Sequence, residues 1–305
     1  MWIIRNRKIF YWLSGVLAVA SVASFLLLPL NYSVEFTGGT VLEVTYEGDA
    51  PSQEDLRMAV AAAGAEDASV RPSGSGLSVK SSPLATSTRE AVIEALSIDG
   101  RYKPSVASES TLGPSLGKEL ASRMALAFVV ISLAILLFVA YAFRGVSTPV
   151  SSWAYGLTTV VTLAHDVLIT AGAFVVANRF LDAPMDALFV TALLVMLGYS
   201  VNDTIVVFDR VRERLGGLSD RERAEGFERI VGESLRATIR RSISTSATVA
   251  LSLVVLAIFG ATVTRAFATA LAIGVVAGTY SSIFLAAPIL VSWKLRQDRR
   301  ARIKN

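Results

Sequence analysis

MALAFVVISLAILLFVAYAF, residues 124–143, is twenty consecutive residues without a charged side chain. At 1.5 Å of rise per residue such a helix spans about 30 Å, the thickness of a bilayer's hydrocarbon core. Water offers that stretch nothing, so it predicts a membrane-crossing helix. Five further apolar stretches are about long enough to cross as well: Ile9–Leu30, Trp153–Ala177, Asp186–Phe208, Ile243–Ala261 and Phe267–Trp293. The whole chain of 305 residues is 53% hydrophobic and only 18% charged, too apolar for an ordinary soluble domain. The fold class that follows is an α-helical membrane protein with six transmembrane helices and one polar insertion between spans 1 and 2.

Three parts are expected: residues 1–30 as the N-terminus and first transmembrane helix, 31–123 as a folded external domain, and 124–305 as a five-helix bundle. Within the bundle, residues 209–242 are expected to form a cytoplasmic loop and 294–305 a cytoplasmic tail. Arg5, Arg7 and Lys8 precede the first span, whose length favours an uncleaved anchor over a signal peptide. Basic residues beside spans are retained in the cytoplasm. The clusters at Arg144, at Arg210 through Arg241 and at Lys294 through Lys304 all fall on the N-terminal side, whereas the opposite loops carry only Arg179 and Arg265. This predicts a multi-pass membrane protein with both termini cytoplasmic and residues 31–123 outside, in the periplasm or its equivalent. The net charge of +4 is accounted for by these flanks, so nucleic acid is not an expected partner.

The insertion reads as strand, helix, strand, strand, helix, strand. Ser33 to Tyr46 alternates and is rich in Val, Phe and Thr, with Gly38-Gly39 marking a bulge or bend. A helix runs from Ser52 to Ala63, short strands cover Ser69–Arg71 and Leu77–Lys80 around a Pro72-Ser73-Gly74 turn, and Ser87 with Glu90 has capping-box spacing ahead of a helix to Leu96. Tyr102 to Ser110 completes the pattern as a strand. This order predicts a small α+β domain of the ferredoxin-like kind.

The chain has no cysteine and a single histidine, His165, which leaves no thiolate chemistry, metal cluster or cofactor motif. What remains are ionisable groups inside spans, where charge is costly and marks function by default. His165 and Asp166 lie mid-way along the third span. Asn202 and Asp203 lie in the fourth, about two turns before Arg210 and so roughly 10 Å inside the interface. Arg240 and Arg241 open the fifth span, and a long guanidinium stem reaches a carboxylate about a turn deeper on a neighbouring helix. Ser242, Ser244, Thr245, Ser246 and Thr248 follow, hydroxyls suited to a hydrogen-bonded path. These residue types suit proton relay, with Asp203 pairing to Arg241 as the expected switch and Asp166 orienting His165 or Asn202. In the last span Ala266, Ala270, Gly274, Gly278, Ser282 and Ala286 form a small-residue stripe that marks a helix–helix interface, within this chain or with another. An enzyme is not expected: Asp166 and Asp203 suggest the paired acids of an intramembrane aspartyl protease, but Asp203 is preceded by Ser-Val-Asn rather than the Gly-x-Gly of the second acid there.

GYSVNDTIVVFDRVRE, Gly198 to Glu213, is similar to the fourth-span signature of the SecF branch of the SecD/SecF protein-export family, within the resistance-nodulation-division superfamily. GPSLGKEL (Gly113–Leu120), His165-Asp166, TIRRSISTS (Thr238–Ser246) and GTYSSIF (Gly278–Phe284) extend the resemblance over nearly the whole chain in the family's order. The resemblance implies a proton-motive-force-driven accessory subunit of Sec protein translocation. Its implied partners are SecD, the SecYEG translocon, YajC, the exported polypeptide and protons. By position, Asp203 matches the fourth-span acid implicated in proton transfer and Arg241 the fifth-span arginine, with Arg240 an additional cation. The family's Asp-Phe-x-Gly-Gly stands here as Glu35-Phe36-Thr37-Gly38-Gly39, which leaves the role of Glu35 open. The alternatives are a non-conducting scaffold of the Sec complex and a small-solute exporter half of the same superfamily.

Overall fold

A computed structural model describes residues 2–30, 32–73, 76–144, 149–181 and 185–304. The expected turn residue Gly74 and the side chain of Arg179 lie outside the described residues, as do the side chains of Arg302 and Lys304 in the tail. The chain forms two compact units, Met1–Leu30 with Ala127–Ala183 and Leu188–Asn305, and Asn31–Leu126 with Pro184–Ala187.

The described residues of the first unit are almost all helical. A short α1 (Trp2–Arg5) precedes α2 (Arg7–Leu27), followed after the polar insertion by α6 (Pro114–Ala142), α7 (Ser152–Leu181), α8 (Ala187–Leu215), α9 (Asp220–Phe259), α10 (Thr262–Ser281), a π-helical turn (Ser282–Ala286) and α11 (Ala287–Lys304). Of these, α6 and α8 begin within the second unit. Six helical stretches are long and apolar enough to cross a membrane, at the six places expected. The expected loop over 209–242 is instead almost entirely helix: α8 runs to Leu215 and α9 starts at Asp220. A capping box explains the restart, since the Ser219 hydroxyl accepts from the Glu222 N–H while the Glu222 carboxylate accepts from the Ser219 N–H. The pre-membrane half of α9 is then held by burying Phe227, Ile230, Val231 and Leu235 in the same cluster as Val211 and Leu215 of α8.

Close helix approach depends on small residues. A Cβ on Gly172 of α7 would meet Ser21 of α2 at 2.3 Å, and one on Gly156 would meet the Leu136 carbonyl of α6 at 2.8 Å. The stripe on the last span is buried inside this chain: Gly274 faces Met196, and Gly278 faces Ser200, both on α8. A strict four-residue repeat drifts about 40° per step around an α-helix. The wider π turn, where Ser282 and Ala286 lie buried, offsets that drift.

The second unit carries β1 (Gly39–Tyr46), α4 (Gln53–Ala62), β2 (Ser69–Ser73), β3 (Gly76–Ser81), α5 (Thr86–Ala95) and β4 (Pro104–Leu112), preceded by one helical turn, α3 (Val34–Thr37). The sheet order is β2-β3-β1-β4 with all neighbours antiparallel, the ferredoxin-like arrangement expected from the element order. Leu42 and Val44 of β1, Leu56 and Val60 of α4, Val79 of β3 and Val92 of α5 share one core.

Two local expectations are corrected. Ser33–Thr37 is not strand: the Ser33 hydroxyl accepts from the Glu35 N–H and starts α3, which ends at Gly38 with φ +73°. Gly39 follows at φ +138°, where a Cβ would sit 2.5 Å from the Ser81 carbonyl oxygen, so only glycine fits. The irregularity in β1 lies between Glu43 and Val44, beyond the glycine pair. The Ser87/Glu90 capping box does not form either, because α5 begins at Thr86 with Ala85 as its cap residue.

Candidate functional site

Among the described residues of the helical unit, two carboxylates are buried. Asp203 of α8 is 3% exposed, and its Oδ2 accepts from Ser246 Oγ of α9 at 3.0 Å. The Tyr199 hydroxyl in turn donates to Ser246 Oγ at 3.3 Å. Asp203 is thus tied to the neighbouring helix by a hydroxyl rather than a cation. Arg240 and Arg241 are exposed, and among the described residues neither forms an ion pair with Asp203. Helical period supplies the reason. The buried seam of α9 runs Leu235, Thr238, Ser242 and Ser246, and Arg241 falls about 100° off that line. Of the five hydroxyls expected to line a path on α9, Ser242 and Ser246 are buried, while Ser244, Thr245 and Thr248 are exposed. Asn202 is exposed as well, so it does not share a site with Asp166.

Asp166 of α7 is wholly buried, and its two oxygens make three side-chain contacts at hydrogen-bond distance. Its Oδ1 meets His165 Nδ1 at 2.9 Å, and its Oδ2 accepts from both Ser200 Oγ of α8 and Ser281 Oγ of α10 at 2.6 Å each. The His165 ring is stacked on Tyr280, with centroids 6.2 Å apart, and its buried Nε2 bonds no protein group among the described residues. The expected orienting contact between Asp166 and His165 is present in geometry. Ser200, Ser281 and Tyr199 were not singled out by sequence reasoning. Their signal lay within the quoted motifs, since GYSVND holds Tyr199 and Ser200, and GTYSSIF holds Ser281.

In the α+β unit, Glu35 Oε2 accepts from the Ala187 N–H, the first backbone donor of α8, at 2.6 Å. Gly117, the second glycine of GPSLGKEL, sits where a Cβ would be 2.8 Å from the Phe36 carbonyl oxygen. The glutamate and the GPSLGKEL segment therefore meet around α3.

The family description "Protein export membrane protein SecD/SecF, C-terminal" fits residues 93–296, and "SecD/SecF GG Motif" fits residues 23–50. The chain belongs to the SecD/SecF family. A curated relative, the protein translocase subunit SecF of Thermobaculum terrenum, is 39% identical over 306 residues, covering 96% of this chain and 93% of the relative. The SecF subunit of Anaerolinea thermophila is 34% identical, covering 96% and 94%. Among solved structures, SecDF from a Thermus species, described as a translocon-associated membrane protein, superposes with a TM-score of 0.81 at 30% identity over 96% of this chain. A SecDF structure in a super-membrane-facing form gives 0.66 at 30% identity. The chain spans only 38% and 40% of those two SecDF chains. The relatives' naming as translocase subunits points to transport rather than catalysis.

Proposed function

We propose that this chain is a proton-motive-force-driven accessory subunit of Sec protein translocation that pairs with SecD beside the SecYEG translocon, with YajC as a further neighbour and exported polypeptide as the cargo. Asp203 takes up and releases the proton. The observation that carries this reading is a carboxylate 3% exposed within a membrane-length helix, bound to one hydroxyl of the adjacent helix and to no cation among the described residues. A buried carboxylate is expensive to keep charged, so its proton occupancy follows its access to water and to neighbouring charge. Arg241, and beside it Arg240, joins Asp203 only in another conformation of α9. One proton moving downhill contributes about 2.3 kcal/mol per 100 mV, enough to bias a two-state equilibrium roughly fifty-fold.

The basic flanks support cytoplasmic termini and an external α+β domain in the bacterial inner membrane. The scaffold reading draws less support, because the small-residue stripe that suited it is consumed by α8 of the same chain. A small-solute exporter half fits less well, since the one polar domain is a single four-stranded sheet with two helices. The test is proton-gradient-dependent stimulation of export in vesicles carrying the chain with SecD. Asp203→Asn should reduce stimulation to the level without a gradient, and normal stimulation in that variant would remove the assignment.

A further inference from the structure

We propose that Asp166 is a second proton-holding group and that it works as a proton-operated clasp joining α7, α8 and α10. This deepens the proton-coupled reading above and rests on it.

The geometry is specific. Ser200 of α8 and Ser281 of α10 both donate to the same oxygen, Asp166 Oδ2, at 2.6 Å. Two helices are therefore tied to a third through one atom. While Asp166 is ionised, such short bonds are worth more than neutral ones, typically by about twofold. The tie requires α8 and α10 to be in contact, and Gly278 provides that, since any Cβ there would come within 2.8 Å of the Ser200 Cβ. The π-helical turn begins at the next residue after Ser281, a break in the α-helical ladder where α10 can change register.

A proton placed on Oδ2 converts that oxygen from an acceptor of two hydrogen bonds into a donor of one. A serine that keeps its place then reverses its hydroxyl to accept from the carboxyl O–H, and two bonds to a charged oxygen give way to weaker neutral ones, which loosens the joint between the helices. The titratable groups around the clasp are His165 on α7, Tyr199 and Asp203 on α8, and Tyr280 on α10. The buried polar side chains of α2 and α9 among the described residues are all hydroxyls. Asp203 lies one turn beyond Ser200 on the same helix, so the two carboxylates share α8 as a mechanical link.

A route for the proton is present on α7. Tyr155, Thr158, Thr162, Asp166 and Thr170 fall on one buried face, and the hydroxyls of Tyr155, Thr158 and Thr170 bond no protein group among the described residues. Buried hydroxyls of this kind are ordinarily satisfied by water, which carries protons along hydrogen-bonded chains. From Tyr155 to Thr170 the face extends about 22 Å along the helix.

Amide hydrogen exchange of the full chain with its SecD partner in lipid nanodiscs, corrected for intrinsic pH dependence, tests the clasp. Acidification should speed exchange about tenfold around Ser200 and Ser281 in the wild type and equally in Asp203→Asn, whereas Asp166→Asn should show no acid response. Ser281→Ala, which keeps the carboxylate, should leave α10 fast at every pH while α8 still responds. An acid response surviving in Asp166→Asn, no acid response in the wild type, or wild-type protection of α10 in Ser281→Ala would each overturn the clasp. Because this readout is local, normal export by Asp203→Asn would sink the reading of Asp203 without altering the outcome for Asp166.

Discussion

Single residues decide the outcome at several points. Gly39 combines φ +138° with a carbonyl oxygen where a Cβ would go. Gly39→Ala is expected to destabilise the α+β unit by about 2–4 kcal/mol, measurable as a lower denaturant midpoint for loss of its sheet signal. Asp67 offers a pH-dependent case. The Ser82 hydroxyl and the Ser82 N–H, the latter at 2.8 Å, hold its carboxylate below the usual range. A depressed folded-state value means the stabilisation is present above about pH 4 and is lost as pH falls through the folded value. Asp67→Asn should therefore flatten the acid limb of the stability curve by under about 1 kcal/mol, since the group is exposed. Equal acid limbs in both proteins would contradict this. At this scale the sequence marked Asp203 and Asp166 as ionisable residues inside spans, and both are buried. It did not show which line of α9 faces inward, because a one-residue offset on a helix moves a side chain about 100° around the axis.

At the scale of elements, helix starts carry the testable content. The Ser219/Glu222 capping box separates α8 from α9 across four residues. Ser219→Ala should cost about 1 kcal/mol locally, seen as faster amide exchange over the first turns of α9 with the membrane part unchanged. Glu35 plays the corresponding role for α8 by accepting the Ala187 N–H at 2.6 Å. Glu35→Ala should cost about 0.5–2 kcal/mol and loosen the first turn of α8, whereas Glu35→Asp, a shorter acid, should restore only part of that protection. The ferredoxin-like order was legible because each element kept its own period and each turn its own residues. The long α9 was not, since its charged first half has no apolar run, and its helix is settled by Phe227, Ile230 and Leu235 packing on the core.

For the whole molecule, the natural absence of cysteine makes topology directly measurable. Asp99→Cys should react with a membrane-impermeant thiol reagent in spheroplasts, while Gly217→Cys should react only after the membrane is opened. The reverse labelling pattern would invert the proposed orientation. Large apolar side chains remain exposed along α2, α6 and α9, including Trp12, Val129, Phe138 and Phe259. Lipid and partner helices are the only solvents that accept such a surface without penalty.

Length and hydrophobicity were enough to establish the six membrane helices, since a segment that hydrocarbon solvates declares itself by composition with no reference to its neighbours. The element order of the α+β unit was equally local. Which side chains meet was not: Asp166 finds Ser200 and Ser281 from 34 and 115 residues away, and Asp203 finds Ser246 across 43. Those contacts depend on helix rotation and close approach at Gly274 and Gly278, which are set by the packing of the entire bundle and leave no periodic trace in any one segment.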